Sequence, residues 1–283
     1  MNDNNLMEHS DNKINLLVLE EQMIKYYKFN FKSYKKIIII KSMIGFIDMP
    51  IVEQLIIINS RVKISHWGLQ KIKLLEINNS SIVCDVLPKE LKTLIYINNS
   101  NFELPELPKC LERLIIKNNF ITELPKLPNT LLHLNCKNNF ITHITELPNN
   151  LIYLNCSNNE LISFNTPENL TYLNCKNNKL RRIKGDYSKL KYLNCSNNIW
   201  FRLNYVPSEL KVMKCKKTRI INLFKDPIIN NKIKEILLLF ITNDISNIIL
   251  EYLGDIPPKL KLLECSYEQL QNFIIDDKTF ISL

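Results

Sequence analysis

Glycine is scarce here, four residues in 283. That shortage excludes Gly-rich phosphate-cradling loops and argues against a turn-rich β sandwich. No apolar run reaches the ~18 residues a membrane helix needs; the IIII at 37–40 is flanked by lysines. The start, MNDNNLMEHSDNK, has no basic n-region and no apolar core, so no secretory signal is expected and a reducing cytoplasm is the expected setting. Among eight cysteines there is no Cys-x-x-Cys, which removes the usual zinc frameworks. Nucleophile elbow, metalloprotease helix and paired carboxylates are missing too, and His9, His66, His133 and His143 stand in unrelated contexts. The expectation is a protein with no catalytic residues, no cofactor, no metal and no small-molecule substrate.

Hydrophobic residues make up 46% of the chain, enough for a sizeable core. The 37 basic against 28 acidic residues give +9, which favours anionic partners non-specifically. Lys is abundant together with Ile and Asn, and all three use A/T-rich codons. Composition therefore explains much of the excess, and nucleic acid is not the expected partner, because a nucleic-acid footprint needs clustered Lys/Arg. Sequons such as Asn79-Ser-Ser81, Asn155-Cys-Ser157 and Asn194-Cys-Ser196 follow from the same richness in Asn.

The organising pattern is internal repetition. LLHLNCKNNFITHITELPNN (131–150) follows LERLIIKNNFITELPKLPNT (from Leu111) and precedes LIYLNCSNNELISFNTPEN (from Leu151). The frame is L-x-x-L-x-C-x-N-N-x-I/L with a tail that usually ends in L-P. It slides upstream in steps of about 18 to 20 residues to Leu91, Ile72, Val52, Tyr34 and, more loosely, Ile14. Over Ile14 an amphipathic capping helix competes with a degenerate repeat. Downstream it recurs at Leu170, Leu190, Leu210 and, after an interruption, Leu260. The expected organisation is an N-terminal cap or degenerate repeat at 1-33, repeats at 34-222, a helical insertion or cap at 223-256, and a final degenerate repeat and tail at 257-283. Units this short cannot bury an apolar face alone and must stack.

The frame resembles the leucine-rich repeat, L-x-x-L-x-L-x-x-N-x-L, with Cys at the third apolar position. The LPELPKC and LPKLPNT tails look like the short L-P-x subclass of bacterial effectors. The Ile/Asn/Lys-rich composition is similar to uncharacterised repeat proteins of giant amoeba-infecting, mimivirus-like viruses. The resemblance implies an α/β-type solenoid, a leucine-rich repeat horseshoe. Its parallel β-sheet would lie on the concave face, with an extended, polyproline-like convex side and a short helical C-terminal cap. It also implies a non-enzymatic scaffold for protein–protein interaction, working in a host cytoplasm on a host protein if the source is viral. Some effectors of that bacterial subclass carry a separate ubiquitin-ligase domain, but no Cys-x-Asp motif is present to support one here.

Period-2 alternation sorts the residues of one copy. Leu134 and Cys136 are expected inside and His133, Asn135 and Lys137 outside; the frame adds Leu131 and Ile141 to the inward set, with Ile144 and Leu147 closing the coil from the tail. The second Asn of each pair, Asn119, Asn139, Asn159, Asn178 and Asn198, is expected to satisfy backbone groups at the turn, as a structural ladder. Cys136, Cys156, Cys175, Cys195, Cys215 and Cys265 are expected as small buried hydrophobes, with Cys84 and Cys110 buried in the tails.

The outward positions form columns expected to meet a partner. One reads Arg113, His133, Tyr153, Tyr172, Tyr192. The next adds Ile115, Asn135, Asn155, Asn174, Asn194 and Lys214. The third reads Lys117, Lys137, Ser157, Lys176, Ser196 and Lys216, bordered by Asn118, Asn138, Asn158, Asn177, Asn197 and Lys217. Tyr supplies contact area at low entropic cost and Asn adaptable hydrogen bonding. Arg181, Arg182 and Lys184 make a small basic edge in the tails.

The interruption holds NKIKEILLLF and TNDISNIILEYLG, with Ile245, Ile248, Ile249, Tyr252 and Leu253 at helical spacing, Asp244 at the start and Gly254 at the end. Its ISNIILEYLGD resembles F-box-like helices, which implies a substrate adaptor for ubiquitin ligation as one alternative. An anion or nucleic-acid binder using Lys137, Lys176, Lys214, Lys216 and Lys217 is another.

Overall fold

Alternation within the repeat frame produces strands. The computed structural model describes residues 16–28, 34–48, 51–66, 71–99, 105–198, 201, 207–215 and 262–264. No helix forms among them. The helices expected within 223–256, with Asp244 and Gly254, lie outside the described residues. The chain divides into two compact units, Met1–Asn139 and Phe140–Leu283.

The first unit contains β1 (Leu16–Glu20), β2 (Met23–Lys28), β3 (Tyr34–Ile40), β4 (Met43–Asp48), β5 (Val52–Ile58), β6 (Arg61–His66), β7 (Leu74–Asn78), β8 (Ser81–Val83), β9 (Thr93–Ile97), β10 (Arg113–Lys117) and β11 (His133–Asn135). One parallel ladder runs β1-β3-β5-β7-β9-β10-β11. Its register advances one repeat per strand: Leu17 faces Ile37, Ile37 faces Leu55, Leu55 faces Leu75, Leu75 faces Leu94, Leu94 faces Leu114 and Leu114 faces Leu134. These residues are all at most 3% exposed. Each fully buried Leu or Ile contributes roughly 1.5–3 kcal/mol, so the column is the spine of the core. Over 16–27, where a capping helix was one reading, β1 and β2 form instead.

A second parallel sheet, β2-β4-β6-β8, covers the other side of these coils. This corrects the expectation of a polyproline-like far side for every copy. MIKYYK, MIGFID and RVKISH contain no proline and are rich in β-branched or aromatic residues, so their N–H groups can enter a ladder. Pro88, Pro105, Pro108, Pro125 and Pro128 lie instead in irregular extended segments. There the L-P tail has a definite task. The carbonyl of Pro88 accepts the Leu91 N–H at 3.2 Å, and Pro108 and Pro128 do the same for Leu111 and Leu131 at 3.1 Å. Each closes a tight turn that delivers the next inward Leu.

The second unit contains β12 (Tyr153–Asn155), β13 (Ser163–Thr166), β14 (Tyr172–Asn174), β15 (Arg182–Gly185), β16 (Tyr192–Asn194), β17 (Val212–Lys214) and β18 (Leu262–Glu264). The ladder β12-β14-β16-β17-β18 is parallel, and β13 pairs with β15 behind it. The frame copy at Leu260 supplies β18, whose Leu263 pairs with Met213. Pro148 and Pro167 close the same turns onto Leu151 and Leu170, and the carbonyl of Tyr187 does so onto Leu190 at 3.2 Å. Among the described residues of this unit, Tyr187 and Phe201 are the bulkiest fully buried side chains.

Candidate functional site

The strand ends prepare the outer surface. Glu21, Lys41, Asn59, Asn79, Asn98, Asn118 and Asn138 in the first unit, and Asn158, Asn177 and Asn197 in the second, hold φ between 47° and 60°. Asn tolerates this left-handed region better than other side chains, which explains the first Asn of each pair. These amides chain together. Asn118 Nδ2 donates to Asn98 Oδ1 and Asn138 Nδ2 to Asn118 Oδ1, both at 2.7 Å; Asn177 Nδ2 donates to Asn158 Oδ1 at 2.5 Å, and Asn197 Nδ2 to Asn177 Oδ1. A Lys41–Glu21 ion pair at 3.3 Å takes the same place in the first coils.

The second Asn turns inward. Asn139 Oδ1 accepts the Asn119 N–H at 2.9 Å, while its Nδ2 donates to the Ile116 and Cys136 carbonyls at 2.8 and 2.9 Å. Asn119 repeats this on Asn99 and Tyr96. In the second unit, Asn159, Asn178 and Asn198 accept from Ile141, Leu161 and Leu180, each at 3.0 Å. Ser42, Ser60 and Ser80 fill the same role in the early coils: Ser42 N–H donates to Ser60 Oγ and Ser60 N–H to Ser80 Oγ, both at 3.0 Å. The one sequence signal for these serines is their place in the frame, which is the position that Asn holds elsewhere.

Inside, Leu131, Leu134, Cys136, Ile141, Ile144 and Leu147 are all buried, with Cys136 at 0% exposure. Cys156, Cys175, Cys195 and Cys215 are buried as well, and Cys265 lies outside the described residues. Burial pushes the Cys136 and Cys195 thiols up to about 12. Cys84 and Cys110, expected to be buried, are only half-buried. Cys110 Sγ reaches the Lys89 carbonyl at 2.9 Å, and burial with the Asp85 charge raises Cys84 to about 11. Among the described residues no three of His, Cys, Asp and Glu converge as a metal site.

On the outer face of the first unit, Arg113 is exposed and stands in register with half-buried His133. Desolvation first, then the Arg113 charge, lowers His133 to about 4. Asn135 Oδ1 accepts the Lys137 N–H at 3.3 Å. The columns expected from Arg113 onward continue upstream into the earlier coils. Val18, Ile38, Ile56, Ile95 and Ile115 share outward, half-buried positions in a largely apolar column, broken by Glu76.

In the second unit the outer face carries a tyrosine stack. Tyr153, Tyr172 and Tyr192 are paired in register, with ring centroids 4.3 Å apart and planes within 10° and 6° of parallel. Burial, the neighbouring phenols and hydrogen bonding among the three hydroxyls raise the Tyr172 phenol well above its ordinary value. All three residues remain partly exposed. The Asn column beside them is less available than expected. Asn155 and Asn194 are only 8% and 7% exposed, and Ser157 2%. Asn155 Oδ1 accepts from the Ser157 N–H and Oγ, and Asn194 Oδ1 accepts from the Ser196 N–H at 3.2 Å. An Asn side chain folding back onto the backbone two residues on is a familiar local competitor for its hydrogen bonds. Asn174, Lys176, Ser196 and Lys214 stay half-buried, while Lys216 and Lys217 lie outside the described residues. Arg181, Arg182 and Lys184 are exposed on the tail side.

No family model and no curated protein matches this sequence. Solved structures do. YopM from Yersinia enterocolitica is similar at 24% identity, covering 72% of this chain and 48% of its own, with a TM-score of 0.57. YopM from Yersinia pestis, a leucine-rich effector protein, is similar at 20% identity, covering 82% and 77%, with a TM-score of 0.53. The chain thus spans about half of the first relative's length and three quarters of the second's. The fold is a parallel β solenoid of the leucine-rich repeat type.

Proposed function

We propose that this chain is a non-enzymatic leucine-rich repeat scaffold that binds a protein partner through the outer face of the ladder in its second unit. Tyr153, Tyr172 and Tyr192 are the anchor, with Asn174, Lys176 and Lys214 as polar surroundings. The carrying observation is the tyrosine stack. Three aromatic rings in face-to-face contact on the outside of a sheet do no work for the core beneath it, which Leu154, Leu173 and Leu193 already fill at 0% exposure. Stacking fixes the ring rotamers in advance, so a partner that covers their edges loses less side-chain entropy on binding. Concave ladder faces are the usual binding faces of solenoids, which supports the same reading. The setting we propose is a reducing cytoplasm.

Affinity capture from lysate tests this directly. The wild-type chain is expected to recover a specific protein that the Tyr153→Ala, Tyr172→Ala, Tyr192→Ala triple variant loses, while circular dichroism shows the same strand content. Unchanged recovery by a folded triple variant overturns it.

A further inference from the structure

The second sheet of the first unit presents an outer face that the tyrosine ladder does not explain. Between β2, β4, β6 and β8 this face opens into a recess of about 460 Å³. Met23, Met43 and Val83 line it, 82%, 52% and 51% exposed. The exposed cations Lys25, Arg61 and Lys63 line it too, and among the described residues no acidic side chain does.

Two local features open the recess. Gly45 sits within it, and a Cβ there would stand 2.5 Å from the Lys25 carbonyl oxygen, so the neighbouring coil admits no side chain at that position. Beside it the pairing of β4 with β6 slips: Ile44 faces Val62, but Ile47 faces Ile64. Such a bulge bends a strand and re-aims its side chains.

We propose that this recess binds an acidic peptide segment of another protein, one that carries a bulky apolar side chain. The apolar side chain would enter over Gly45 among Met23, Met43 and Val83, and the flanking carboxylates would meet Lys25, Arg61 and Lys63. Methionine suits such a role because its flexible, polarisable side chain adapts to varied apolar shapes. Charge complementarity selects the sign of the partner and speeds encounter. The recess also has the volume of a small ligand pocket, about what one or two side chains fill. A nucleic acid calls for a broader basic face without apolar side chains at its centre; a bilayer, which exposed apolar side chains beside cations also suit, is distinguished from the peptide by the test below.

The test is fluorescence anisotropy on the full chain at low salt. The probe is a short fluorescein-labelled peptide of Asp and Glu with one Phe and one Leu. Saturable binding is expected, weakened roughly tenfold when Ser replaces Phe and Leu in the probe. Lys25→Glu with Arg61→Glu is expected to weaken it at least as much. Met23→Ser, at a side chain too exposed to matter for folding, is expected to weaken it several-fold. Arg182→Glu with Lys184→Glu, an equal charge change elsewhere, is expected to leave it within twofold. Absence of saturable binding, retention by the Lys25/Arg61 variant, or an equal loss in the Arg182/Lys184 variant overturns the proposal. So does binding of phosphatidylserine vesicles in place of the peptide.

Discussion

Asn139 reaches across one coil to Asn119, accepting its backbone N–H at 2.9 Å on Oδ1 while the amide nitrogen serves the carbonyls on either side. Both residues are at most 5% exposed. One buried side chain therefore satisfies donors and acceptors of two coils at once.

Asn139→Ala would strand those groups without water. Leaving a buried backbone group unsatisfied costs about 1–3 kcal/mol, so a loss of about 3 kcal/mol is expected from urea unfolding. Asn139→Ser should lose less, because Ser60 and Ser80 accept the equivalent N–H in the early coils. Equal losses for Ala and Ser would show that the hydrogen bonds are not the cause.

Gly185 holds φ at 85°, and a Cβ there would lie 2.7 Å from the Thr166 carbonyl oxygen. Gly185→Ala therefore meets both an unfavourable backbone region and a clash with β13. A loss of about 2 kcal/mol or more is expected, read as a lowered melting temperature. An unchanged melting temperature would refute the close approach of β13 and β15.

The low pKa of His133, about 4 against the usual 6.5, makes a pH prediction. Between these values the unfolded chain binds a proton that the folded chain refuses, so this group lowers stability as pH falls from 6.5 towards 4. Above 6.5 both states are neutral and its contribution is constant. The His133→Asn variant is expected to show a shallower decline across that window. An imidazole resonance titrating near 6.5 in the folded protein would contradict the burial of this ring beside Arg113.

Thiol labelling of the native chain, mapped by mass spectrometry, should mark Cys110 ahead of Cys84, whose raised pKa leaves little thiolate near neutrality. Cys136, Cys156, Cys175 and Cys195, each at 0% exposure, should react only on unfolding. Rapid native labelling of Cys175 would mean the second ladder is not packed as described.

Much of this was readable from residues alone. Leu134 and Cys136 followed from a period of two, because one register shift would expose both, while Leu131 and Ile141 followed from their fixed places in the repeat frame. The second sheet was not foreseen, since the L-P tails of the later copies were extended to MIKYYK, MIGFID and RVKISH, which lack the proline that bars a ladder. The left-handed turn at Asn118 and its equivalents was signalled only by Asn itself, since two adjacent Asn do not say which of them takes the positive φ. Asn155 and Asn194 were read as outward because strand alternation says nothing of a side chain that folds back onto the N–H two residues later. The apolar column through Ile38, Ile56 and Ile95 was hidden because these strands are apolar at successive positions, which obscures any alternation.

The most direct measurement is photo-crosslinking from the outer face of the second ladder. A benzophenone side chain in place of Lys176, at the outward position beyond Tyr172 and Asn174, is expected to capture a discrete protein from lysate. The same group in place of exposed Lys184 is expected to capture none, and the Lys176 adduct should vanish when Tyr153, Tyr172 and Tyr192 become Ala. An adduct that forms equally from both positions, or that survives loss of the three tyrosines, would contradict binding at the tyrosine ladder.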